Sequence, residues 1–188
     1  SLRRVAGAFE HNSHLRCFNV EFNRLNVDTV RQLMCGIRKS RIEEVCLQNT
    51  SLGDRGAEVL AQELLSTLNC VKKLYLDYNA IGPIGARHIA CALDANRTLE
   101  VLTLEGNALS SHGAATIAQS LPQSALTALD LSRNLVGDEA VRELLAALQR
   151  TDKVNHVILD WNEITAAGAY LLKDAPATVS VSVEWNYI

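Results

Sequence analysis

The chain has 188 residues, a net charge of −3, 48% apolar and 5% aromatic content, 10 Gly, 3 Pro and 5 Cys. So apolar a chain is not disordered, and so few Gly and Pro exclude a collagen-like or Pro-rich segment. With 21 Asp plus Glu against 18 Lys plus Arg, composition gives no support to nucleic acid or an anionic membrane as partner and mildly favours a basic protein.

Residues 2–14 read as the back half of a helix, because Leu2, Val5 and Phe9 precede Asn12 and Leu15 just as Ala86, Ile89 and Leu93 precede Asn96 and Leu99. From Leu15 onward one frame recurs, three apolar positions followed by Asn and a further apolar residue. It runs through Leu15, Phe18, Val20, Asn23, Leu25; Ile42, Val45, Leu47, Thr50, Leu52; Val71, Leu74, Leu76, Asn79, Ile81; and Leu99, Leu102, Leu104, Asn107, Leu109. It continues through Leu126, Leu129, Leu131, Asn134, Val136; Val154, Val157, Leu159, Asn162, Ile164; and a weaker Thr178, Val181, Val183, Asn186, Ile188. Units starting near residues 15, 42, 71, 99, 126, 154 and 178 share a period of about 28 residues, which marks a repeat architecture.

Within each unit the periodicity switches from 2 to about 3.6, so a short strand is followed by a helix. Leu74 and Leu76 alternate with Tyr75 and Asp77, and Ile84, Ala86, Ile89, Ala90 and Leu93 follow at helical spacing. Asn26, Gly53, Gly82, Ser110, Gly137 and Thr165 stand where a helix N-cap is expected, with Pro83 at a first helical position. Gly56, Gly85, Gly113 and Gly168 share a place inside the first helical turn, where neighbouring backbones are expected to approach closely. Asn23, Asn79, Asn107, Asn134, Asn162 and Asn186 are expected to form a ladder, since an amide carries both donors and an acceptor for buried loop groups. Thr50 breaks that series and predicts a locally softer step. In the last unit the stretch Asp174-Ala175-Pro176-Ala177-Thr178 shortens the helix, and Val179, Val181 and Val183 alternate with Ser180, Ser182 and Glu184 as in a strand with one wet face.

The run from Asn79-Ala80-Ile81-Gly82-Pro83-Ile84-Gly85-Ala86 to Leu93-Asp94-Ala95-Asn96-Arg97-Thr98-Leu99 resembles the leucine-rich repeat family. The likeness is to its ribonuclease-inhibitor-like class, which includes NOD-like receptors and the Ran GTPase-activating protein. It implies an α/β solenoid, a horseshoe with a parallel β-sheet of about seven strands on the concave face and α-helices on the convex face. Residues 1–188 are expected to be a single domain with a partial repeat helix at 1–14. Since the chain starts inside a repeat and stops at Ile188 directly after a strand motif, it is expected to be either a fragment of a longer protein, with further repeats or domains at both ends, or a chain whose ends meet another surface.

In such a stack, residues between the buried leucines face the concave side. The column two before the Asn reads Glu21, Gln48, Asp77, Glu105, Ser132, Asp160, Glu184, mostly carboxylates. The column immediately before it reads Phe22, Asn49, Tyr78, Gly106, Arg133, Trp161, Trp185 and holds both tryptophans, with Tyr75 adding a ring on the same face. Aromatic anchors beside an acidic stripe predict a protein-recognition groove for a basic partner, centred on Trp161 and Trp185 with Asp160 and Glu184. Arg133 is placed to stack on Trp161 or to pair with Asp160.

Catalysis is not expected. His11, His14, His88, His112 and His156 lack metal-ligand spacing, and no phosphate loop, nucleophile elbow or Walker-type lysine occurs, so neither metal nor cofactor is predicted. Cys17, Cys35, Cys46, Cys70 and Cys91 are widely spaced and never form C-x-x-C, which predicts reduced thiols and a cytoplasmic or nuclear location. No signal peptide or run of about 18 apolar residues is present, so no membrane association is expected. The alternatives within the family are a GTPase activator of the Ran-directed type and a sensing or autoinhibitory module of a NOD-like receptor.

Overall fold

The computed structural model describes residues 9, 12, 14–65 and 70–188. Leu2 and Val5 of the expected first helix lie outside the described residues. Phe9 is described; it is buried and packs edge-on against Phe18, ring centroids 4.9 Å apart. Asn12 Oδ1 accepts from the N–H groups of His14 and Leu15, as Asn96 Oδ1 does from Thr98 and Leu99. The Asn12 turn therefore matches the Asn96 turn in its hydrogen bonds.

Among the described residues, seven strands form one parallel sheet in sequence order: β1 (Cys17–Asn19), β2 (Glu44–Cys46), β3 (Lys73–Tyr75), β4 (Val101–Thr103), β5 (Ala128–Asp130), β6 (His156–Ile158) and β7 (Ser180–Ser182). Helices α1 (Val27–Ile37), α2 (Gly53–Leu60), α3 (Pro83–Leu93), α4 (Ser110–Ser120), α5 (Asp138–Leu148) and α6 (Ala166–Leu171) follow strands β1 to β6 in turn. Parallel pairing of consecutive strands requires a crossover between them, and each helix supplies one. The register advances by one repeat at every step, Val45 opposite Leu74, Leu74 opposite Leu102 and Leu102 opposite Leu129. The molecule is an open α/β repeat solenoid.

Strand leucines enter the core in rows. Phe18, Val45, Leu74, Leu102, Leu129 and Val157 form one, Leu47, Leu76, Leu104, Leu131 and Leu159 a second, and Leu52, Ile81, Leu109, Val136 and Ile164 a third, all buried. Helix residues such as Leu60, Ile89, Leu93, Ile117, Leu144 and Leu148 close over them. Each such side chain contributes about 1.5–3 kcal/mol by leaving water. In the last unit α6 gives way to a 3₁₀ turn at Leu172–Asp174, and Val179, Val181 and Val183 are half-buried against the core, as the alternation predicts.

The helix starts differ in detail from the sequence expectation. Asn26 and Thr165 cap their own helices through Thr29 N and Ala167 N. At Gly82 and Gly137 the cap comes instead from the preceding repeat. Asp54 accepts from Gly82 N (2.7 Å) and Gly85 N (2.9 Å), and Ser111 Oγ from Gly137 N (2.6 Å). Helices α2 and α4 begin one residue early, at Gly53 and Ser110, both with φ +55°, so the caps there are Leu52 and Leu109. Close approach at the shared helix glycines is mainly to side chains. A Cβ on Gly85 would lie 2.7 Å from Asp54 Oδ1, and one on Gly168 would strike Asp138 Oδ1; only at Gly113 is neighbouring backbone met, Pro83 Cα at 3.2 Å.

Candidate functional site

The strands place alternate side chains on the concave face: Cys17 and Asn19, Glu44 and Cys46, Lys73 and Tyr75, Val101 and Thr103, Ala128 and Asp130, His156 and Ile158, Ser180 and Ser182. The two columns singled out in the sequence lie just beyond the strand ends. Every member of the column before the Asn is left-handed, with φ of 58° at Phe22, 55° at Asn49, 56° at Tyr78, 64° at Gly106, 57° at Arg133, and 58° at Trp161 and Trp185. This column thus occupies a turn at the rim of the sheet, a correction to its expected place between the strand leucines.

Those turns are held by the Asn side chains. Asn79 donates to Leu47 O (2.7 Å) and Leu76 O (3.0 Å), and its Oδ1 accepts from Thr50 N (2.9 Å). Asn107, Asn134, Asn162 and Asn186 likewise donate back to Leu76, Leu104, Leu131 and Leu159 of the preceding repeat. Asn23 donates within its own turn, to Val20 O and Glu21 O. Thr50 has only a hydroxyl, whose single hydrogen is offered to Leu47 O (2.7 Å), with Asn79 Oδ1 also in reach at 3.0 Å.

Along the rim, side chains of successive repeats touch in series. The Tyr78 hydroxyl donates to Glu105 Oε1 (2.6 Å), and Arg133 Nε reaches the same oxygen (3.1 Å). The Arg133 guanidinium lies 4.4 Å from the Trp161 ring centre, and Trp161 stacks on Trp185 at 5.0 Å and 14°. Arg133 therefore stacks on Trp161 and pairs with Glu105 rather than Asp160. Trp161 is 46% exposed and Trp185 69%. Gly106 is the one column member without a side chain, and a Cβ there would strike the Tyr78 ring. Phe22 is exposed at the far end of the column, and Tyr75 is half-buried on β3, so neither joins the stack.

The acidic column is partly occupied in holding repeats together. Asp77 accepts from Thr103 Oγ1 and Glu105 N, both 2.8 Å, and Asp160 from Ser182 Oγ (2.6 Å) and Glu184 N (2.8 Å). Asp130 on β5, which the two chosen columns omit, accepts from Ser132 N and Oγ. Strand alternation carried two residues further back would have found it. Burial raises the carboxyl pKa of both Asp77 and Asp130 above the usual range; nearby carboxylates add to this, Asp130 and Glu105 for the first, Glu105 and Asp160 for the second. The hydrogen bonds from Thr103, Glu105 N and Ser132 act in the opposite sense and lower both pKa values.

At the other end, the sequence spacing showed no ligand cluster, yet Cys17, Glu44 and Cys46 come together, their ligand atoms within 4.8 Å of one another. Burial, with help from Cys17 and Glu44, pushes the Cys46 thiol up to about 12. All five cysteines are free thiols. Among the described residues no helix is long and apolar enough to cross a membrane.

A family model described as Leucine Rich repeat matches residues 67–90, 95–118 and 124–145. NACHT, LRR and PYD domains-containing protein 14 of Mus musculus is 25% identical over 205 residues, covering 92% of this chain and 21% of that protein. Ribonuclease inhibitor of Sus scrofa is 31% identical over 168 residues, covering 72% of this chain and 37% of the inhibitor. The chain therefore spans well under half the length of either relative. Among solved structures, Leiomodin-1 Actin-Binding Site 2 shares the fold with a TM-score of 0.64 at 20% identity, over 79% of this chain and 86% of that one.

Proposed function

Because the chain belongs to the leucine-rich repeat family, in its ribonuclease-inhibitor-like class, we propose that it is a non-catalytic scaffold whose concave rim binds a basic protein. The observation that carries this reading is the exposed stack of Arg133, Trp161 and Trp185 beside Asp160 and Glu184. Exposed tryptophans are unusual on a surface that stays wet and common at the centre of protein interfaces. Tyr78, Glu105 and Asp77 extend the surface towards the middle of the sheet, where mutually repelling carboxylates gain from a partner's Lys or Arg. Tyr75 and Phe22 are peripheral to it. A cytoplasmic or nuclear location for this activity agrees with five free thiols.

The test is affinity capture with this chain, and with a Trp161→Ala, Trp185→Ala double variant, from lysate and from a panel of purified basic proteins that includes a ribonuclease. Each Trp loss is expected to cost about 2 kcal/mol of affinity with the fold retained. Binding is expected to weaken from low to moderate salt. Equal capture by both forms, or a flat salt response, defeats the reading.

A second reading, the repeat module of a NOD-like receptor, draws support from the similarity to the NACHT, LRR and PYD domains-containing protein over nearly the whole chain. The full open reading frame decides it by containing, or lacking, a NACHT segment. The GTPase-activator alternative rests on repeat type alone.

A further inference from the structure

We propose that Cys17, Glu44 and Cys46 form a site for a thiolate-seeking divalent cation, Zn²⁺ in the first instance, on the concave face of the first two strands. Cys17 lies opposite Glu44 in the β1–β2 register, and Cys46 is two residues further along β2, so strand alternation brings all three to one face. Glu44 Oε1 lies 3.9 Å from Cys17 Sγ and 4.0 Å from Cys46 Sγ. Around a tetrahedral zinc with ordinary bond lengths, a sulfur–oxygen edge measures about 3.6 Å. Both edges thus need to shorten by only about 0.3–0.4 Å.

The carboxylate is already oriented for the task. Its other oxygen, Oε2, faces Lys73 Nζ at 3.7 Å, which leaves Oε1 turned to the two sulfurs. Binding exchanges the S–H protons of Cys17 and Cys46, released to solvent, for two metal–sulfur bonds. Two thiolates and a carboxylate beside one ammonium then leave a charge that a dication cancels. The thiolate pair selects zinc over magnesium or calcium. Cys46 is buried and Cys17 exposed, so the ion enters from the groove and keeps a fourth position open for water. The site is at the opposite end of the sheet from the Trp161–Trp185 stack and does not depend on that surface being a docking face.

The test is titration of the reduced full chain with Cd²⁺, followed by cadmium–thiolate absorption in the near ultraviolet, and with Zn²⁺ in competition with a chromogenic chelator. One ion per chain is expected, with binding lost in Cys17→Ser and in Cys46→Ser and kept in a Cys70→Ser, Cys91→Ser double variant. Glu44→Gln is expected to weaken affinity about tenfold while the thiolate absorption persists. Cys17 is exposed, so its variant keeps the fold, which a thermal melt checks. No uptake by the reduced wild type, uptake unchanged in Cys17→Ser, or loss in the Cys70→Ser, Cys91→Ser variant overturns the proposal.

Discussion

Replacing Asn107 by Ala probes the link between adjacent repeats at one buried amide. Its Oδ1 accepts from Asn79 N (3.1 Å) and Ile81 N (2.9 Å), while its Nδ2 donates to Leu76 O (3.0 Å) and Leu104 O (2.9 Å). The two carbonyls keep other partners, since Asn79 Nδ2 also donates to Leu76 O and Asn134 Nδ2 to Leu104 O. The two N–H groups have lost theirs. Each buried donor left unmade costs about 1–3 kcal/mol, so the variant is expected to lose about 3 kcal/mol. Urea unfolding reads this as a lower midpoint at unchanged slope. Asn23→Ala is the internal comparison: among the described residues Asn23 is exposed and bonds within its own turn alone, so its loss is expected to cost under about 1 kcal/mol. Equal losses at the two positions would refute the claim that the amide acts by feeding the donors of the repeat before it.

Asp138→Ala removes an acceptor for Thr165 N (2.9 Å) and Thr165 Oγ1 (2.7 Å) at the start of α6 and is expected to cost about 1 kcal/mol. Those Thr165 bonds lower the Asp138 pKa, so the contribution is present above the ordinary carboxylate pKa and fades as pH falls through the lowered one; a variant penalty that grows in acid, read by thermal melts, would contradict this. Asp130→Asn has the opposite sign. Folding raises the Asp130 pKa, so ionisation at neutral pH opposes the fold, and the variant is expected to gain stability at pH 7 and to match the wild type near pH 3. A larger gain in acid than at neutrality would reverse the assignment. With its thiol held up to about 12, Cys46 is expected to react with a disulfide reagent at pH 8 far more slowly than exposed Cys17; comparable rates in single-cysteine variants would refute its burial.

The fold was legible because two periods carry it. Strand and helix alternate at a constant interval, and Asn marks the turn between them, so strands, register and buried rows follow from spacing. The left-handed turn was hidden, because Phe, Tyr, Arg and Trp at Phe22, Tyr78, Arg133 and Trp161 carry no signature of positive φ, and only Gly106 and Asn49 hint at it. The caps of α3 and α5 were hidden for a different reason. Asp54 and Ser111 act on a helix a whole repeat away, whereas a cap is sought next to its helix. The Cys17, Glu44 and Cys46 cluster has no local spacing signature, because the repeat period is what sets Cys17 beside Glu44.

The bonds between repeats run in both directions. Helix caps reach forward, from Asp54 to Gly82 and from Asp138 to Thr165, while turn amides reach back, from Asn107 to Leu76 and from Asn162 to Leu131. Growth or loss of such an array by anything other than a whole unit would set donors against donors along the seam. Duplication of a complete unit leaves every forward and backward partner at its usual offset, which makes the unit, and not the residue, the natural step by which chains of this kind change length.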